Sequence, residues 1–185
     1  RGIEVHVFNQ RSIADILRML RTLGGMVGCE SRTSTLVTEL EAGLDAIRAM
    51  AARLPRRPRV YFEEWDAPQI SAIRWVSELI AAAGGDDVFP ELAAQSLGRD
   101  RIVADPLEVV RRAPDLVFGS WCGKKFNPRA VAARPGWQDV PAVRDGELHE
   151  VKSSIILQPG PAALTDGVRE LHRVISRWAL RGEPR

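Results

Sequence analysis

Lysine is scarce in this 185-residue chain: of 26 basic residues only Lys124, Lys125 and Lys152 are lysines, and the others are arginines. With 24 acidic residues the formal charge is +2, so charge gives no reason to expect a nucleic-acid partner. Cysteine is nearly absent. Cys29 and Cys122 cannot build a disulfide framework. Neither belongs to a CxxC or Cys/His cluster of the kind that holds a metal, and His6, His149 and His172 are scattered. No apolar run approaches the roughly 18 residues that a spanning helix requires, so direct insertion into a membrane is not expected. Internal repeats, low-complexity tracts and a signal-peptide pattern at Arg1 are also lacking. What is present is ordinary for a globular protein, 45% hydrophobic and 27% charged, with length for one good core or a domain and part of another.

The periodicity is informative. "GIEVHVF" alternates apolar and polar residues and predicts a strand. Ser12 with Asp15 three residues on forms a capping-box pattern, opening a helix through Ile13, Ile16, Leu17 and Leu20 that "GGMVG" ends. A second, long helix is predicted over 34–54, stopped by "PRRP". Beyond it strands and helices alternate. "RVYFEE" predicts a strand, 69–83 a helix closed by Gly84 and Gly85, and Asp105-Pro106 the start of a short helix. "DLVFGS" predicts a strand and "NPRAVAARPGW" a short helix. "VPAV" and "ELHEV" predict short strands, and 163–181 the terminal helix. The fold class is therefore α/β, with a mostly parallel sheet covered on both sides.

In such sheets ligands bind beyond the carboxyl ends of the strands. Three loops qualify: "EEWDAP" (63–68), "SWCGKKF" (120–126) and "KSSIILQPGP" (152–161). The second resembles a phosphate loop only superficially. Gly119 to Gly123 is one residue short, and Lys125 stands where a hydroxyl should bind Mg²⁺. Cys122 as a nucleophile needs a base, for which His149 is the candidate, but cysteine is commonly buried and inert. Glu63, Glu64 and Asp66 read either as paired carboxylates or metal ligands, or as one helix cap with solvated neighbours. The aromatics say more. Trp75 lies about 130° from the apolar face formed by Ile70, Ile73, Val76 and Ile80, which assigns it to the surface or a ligand wall. Trp65, Trp121 and Phe126 follow strand ends and favour a broad, flat, mostly uncharged ligand. Trp137 and Trp178 read as core.

Several stretches together, among them "RVYFEEWDAPQISAIRWVSELIAAAGG" and "DRIVADPLEVVRRAPDLVFGSWCG", resemble the substrate-binding proteins of ABC importers for vitamin B12 and iron–siderophore complexes, most closely the cobalamin-binding branch. The resemblance implies two Rossmann-like lobes joined by one long helix. Residues 1–30 would be the last βα unit of the N-terminal lobe, 31–55 the joining helix and 56–185 the C-terminal lobe, the rest of the first lobe preceding Arg1. It implies no enzymatic activity, no catalytic or metal residues and no cofactor; the ligand is cobalamin or, alternatively, an iron chelate or haem. Ligand-facing positions carried over or proposed are Glu64, Trp65, Asp66, Trp75, Trp121, Lys124, Phe126, Ser154 and Gln158, with Lys125 and Arg74 keeping anionic ligands in view. Importer membrane subunits would dock near Leu107, where the family commonly has a glutamate, leaving Glu108 as the candidate beside Asp105. A monomer, periplasmic or lipid-anchored outside the cytoplasmic membrane, is implied.

Overall fold

The computed structural model describes residues 2–181. Helix α1 (Ile13–Met26) opens on the expected box: Ser12 Oγ accepts from the Asp15 amide at 3.1 Å, and the Asp15 carboxylate accepts from the Ser12 amide at 3.1 Å. Its buried Ile16, Leu17 and Leu20 pack on α2 (Glu30–Ala51). α2 buries Val37, Leu40, Leu44, Ile47 and Ala51, spaced by three and four residues as a single helical stripe demands. Its 22 residues give a rod about 33 Å long. The strand expected over "GIEVHVF" does not form. Residues 2–11 have no regular structure, and Ile3, Val5 and Val7 are largely exposed. An isolated strand leaves its backbone groups without partners, and no described strand pairs with this one.

The sheet is built on β1 (Arg59–Asp66). β2 (Gln69–Ser71) folds back antiparallel on its end across a turn at Ala67–Pro68. This corrects the helix expected over 69–83, which begins only at α3 (Arg74–Ala83). Here the residues between Pro68 and Arg74 satisfy their backbone through the hairpin instead. Gly84 ends α3 in a left-handed conformation, φ 100°, that favours glycine. β3 (Asp86–Asp87) pairs parallel with the start of β1. The short α4 (Pro90–Ala93) and α5 (Leu107–Arg112) lead to β4 (Leu116–Gly119), parallel to β1. Asn127 caps α6 (Pro128–Ala132). "VPAV", expected as a strand, instead holds the single turn α7 (Pro141–Arg144), because Pro141 brings a helical φ and no amide to a sheet ladder. β5 (Leu148–Glu150) continues the parallel set, and α8 (Ser153–Ile156) is one turn at its end. α9 (Val168–Leu180) follows a π-helical turn over Ala163–Gly167.

Strand order is β2-β1-β4-β5, with β3 beside the start of β1. Both faces are covered. Val60, Phe62, Leu116 and Phe118 face α1, α2, α3 and α9. Tyr61 and Val117 face the other way, with Phe89, Val109, Val131 and Trp137. This is why "RVYF" and "DLVF" are continuous apolar runs rather than alternating ones. Trp137 is core as expected, whereas Trp178 is only partly buried, its ring 4.1 Å beneath the Arg56 guanidinium.

Candidate functional site

The carboxyl end of β1 carries Glu63 and Glu64, which strand alternation sends to opposite faces of the sheet. They are neither paired with each other nor solvated. Glu63, fully buried, accepts from Arg134 at 2.7 and 2.9 Å, from Trp121 Nε1 at 3.0 Å and from the Tyr61 hydroxyl at 3.1 Å. Burial beside that carboxylate pushes the Tyr61 hydroxyl well above its usual range. Glu64 meets Arg101 at 2.8 and 2.9 Å and accepts from the Ile73 amide at 2.6 Å, so it supplies the cap that α3 lacks from its own residues. Burial raises the Glu64 pKa against the lowering effect of Arg101. Arg101 in turn donates to the Ser71 carbonyl at 2.6 Å. These two ion pairs tie β1 to two peripheral segments and fix where the strand-end loops start. Among the described residues no cluster of three or more His, Cys, Asp or Glu side chains is placed to hold a metal ion.

Above this base lies the rim. Gly119 ends β4 with the Phe126 ring where a Cβ would stand, 1.9 Å from its nearest atom, so only glycine lets the 120–126 loop fold back on the strand. Phe126 and Trp121 meet edge to face, ring centres 5.0 Å apart, and both are buried. Lys124 closes the arrangement. Its Nζ is 2.5 Å from Asp66 Oδ1, 4.3 Å from the Trp65 ring centre and 5.0 Å from that of Trp121. Burial tends to raise the Asp66 pKa, but the hydrogen bond and charge of Lys124 outweigh it and hold the carboxyl below its ordinary range. Beside this contact a shallow cleft of about 310 Å³ is lined by Trp121, Lys124, Lys125, Glu150, Lys152 and Ser154, with neighbouring backbone.

Of the expected ligand-facing residues, Trp121, Lys124 and Ser154 thus meet at one cleft, and Trp65 and Asp66 reach Lys124. Trp75 is a correction. It is 5% exposed and its Nε1 donates to the Ile156 carbonyl at 2.9 Å. The single-face reading fails because α3 packs against α2 and α9 as well as α1, which buries it on several sides. Gln158 is exposed and does not line the cleft. Arg74 is spent on Glu78 at 3.0 Å. Glu108, the docking candidate, binds Arg111 at 2.7 Å and Arg112 at 2.9 Å, while Asp105 accepts from the Leu107 amide. Cys122 is exposed, and His149 Nε2 lies 2.7 Å from Glu147. Sequence reasoning missed Arg101 and Arg134, since nothing distinguishes two arginines among so many. Lys152 left a signal: its rarity.

The sequence profile of the periplasmic binding protein family matches residues 1–155. The chain belongs to that family. Solved structures agree on the fold. A possible iron-binding periplasmic solute-binding protein from Staphylococcus epidermidis superposes with a TM-score of 0.77 at 19% identity, over 92% of this chain and 65% of that one. The vitamin B12-binding protein BtuF of Vibrio cholerae gives 0.72 at 16%, over 97% and 68%. The haem-binding protein RhuT from Roseiflexus gives 0.70 at 24%, over 90% and 65%. The chain thus spans 65–68% of the length of these three proteins. No curated protein sequence matches it.

Proposed function

We propose that the chain supplies one lobe, and the helix leading to it, of a non-enzymatic solute-binding protein that captures a metal chelate and delivers it to an ABC importer. The observation that carries this reading is the convergence of the β1, β4 and β5 carboxyl ends on one rim, in a chain of this family. The work would take place outside the cytoplasmic membrane, in the periplasm or on a lipid anchor. Among the described residues no helix is long and apolar enough to cross a membrane. The mechanism is capture: buried ion pairs hold the loops, the loops present a preformed wall, and little reorganisation is required on binding. Among the described residues Cys122 has no base in hydrogen-bonding contact, and its candidate partner His149 is paired with Glu147 instead, so the alternative of an enzyme using Cys122 gains no support.

The corrinoid expected from the sequence rests on aromatic stacking. Trp75, Trp121 and Phe126 are buried, which leaves Trp65 as the ring most open to a ligand. With stacking reduced and three lysines lining the cleft, the second reading, an anionic iron–siderophore complex or haem, is favoured over uncharged cobalamin. Importer contact through Glu108 would require a transporter arginine to displace Arg111 or Arg112. Calorimetric titration of the full-length protein with cyanocobalamin, haem and a ferric hydroxamate tests the reading. One-to-one binding of one of them is expected, and failure of all three contradicts it.

A further inference from the structure

The three lysines of the chain lie in one place. Lys124 and Lys125 come from the loop after β4, Lys152 from the turn after β5, and all three line the same 310 Å³ cleft. Everywhere else the chain uses arginine for positive charge. The two side chains are not equivalent. Guanidinium is a planar fork that locks onto carboxylates of the protein itself, as Arg101 and Arg134 do here, whereas ammonium is a compact charge on a flexible stem that can follow an incoming anion. The three also differ among themselves. Lys124 is held by Asp66 and two indole faces. Lys125 and Lys152 are exposed, and their ammonium groups make no hydrogen bond or ion pair with any described residue. Glu150 is the one carboxylate lining the cleft, and one of its oxygens accepts from the Phe126 amide at 3.2 Å. The balance at the rim is therefore positive, beside a hydroxyl donor from Ser154.

We propose that Lys125 and Lys152, positioned beside the fixed Lys124, form a subsite for the carboxylates or other oxyanions of the ligand, so that this protein selects negatively charged chelates over neutral ones. This rests on the solute-binding reading and adds the charge of the solute. The Lys124–Asp66 pair fixes the near wall, and the two free ammonium groups close on the ligand's anionic edge. Such exposed contacts are each modest and screened by salt.

The test titrates the full-length protein with four probes: haem and ferric dicitrate as anions, cyanocobalamin and ferrichrome as species without net charge. An anionic probe is expected to bind best, with affinity falling as salt rises. The double variant Lys125→Gln/Lys152→Gln should weaken it about ten-fold, while Arg169→Gln, a charge removed from the exposed side of α9, should leave it unchanged. Binding of neutral probes alone overturns the inference and leaves the solute-binding reading standing. So does an anionic probe whose affinity the double variant leaves intact. Binding of none of the four overturns both.

Discussion

At the scale of single residues, the decisive fact is that the acidic run "EEWD" is mostly internal wiring. Glu63 is buried with three donors, and its charge is tolerated only because Arg134 faces it bidentately. Removing one partner of a buried pair leaves an uncompensated charge, which costs more than the pair contributes. Arg134→Met should therefore lower stability by about 3 kcal/mol in chemical denaturation. Adding Glu63→Gln to that variant should recover part of the loss, since the orphaned group is then neutral. A single variant within about 0.5 kcal/mol of the parent would show that Trp121 and Tyr61 suffice to hold Glu63. Trp121 itself changes meaning: its indole N–H is committed to Glu63, so at most part of its ring edge meets a ligand.

At the scale of elements, the capping box of α1 was written in the sequence and is found intact. Ser12→Ala removes the acceptor for the Asp15 amide and should cost about 1 kcal/mol, read from the shift in denaturation midpoint. An unchanged midpoint would mean that the Glu78 carboxylate, which accepts from the Ile13 amide at 2.8 Å, anchors α1 alone. Helices and buried parallel strands were legible because their patterns are local: the stripe of α2, the apolar runs of β1 and β4, the proline at the start of α6. What was illegible depends on distant partners. "GIEVHVF" has strand periodicity but finds no neighbour to pair with among the described residues, and "QIS" became a strand because β1 extends to Asp66 and offers it an edge. Trp75 was misplaced because one helical face was assumed where α3 is enclosed by several elements. The strand-end loops were located correctly, since topology fixes them. Which of their side chains turn inward was not, because that is settled by arginines from Arg101 and Arg134 far along the chain.

At the scale of the whole molecule, the sheet divides the protein into a helical layer containing α1, α2, α3 and α9 and a second layer of short helices and loops. The candidate site lies across the strand ends, where Trp121 of the second layer meets the loops after β4 and β5. The central claim is that a chelate is held at this edge. It is tested most directly by amide hydrogen exchange on the full-length protein with and without the chelate that binds in titration. The account predicts slowed exchange over 64–66, 120–126 and 152–158, with the opposite edge of the sheet, 56–59 and 144–147, unchanged. Protection of that opposite edge with none at the three loops would contradict it.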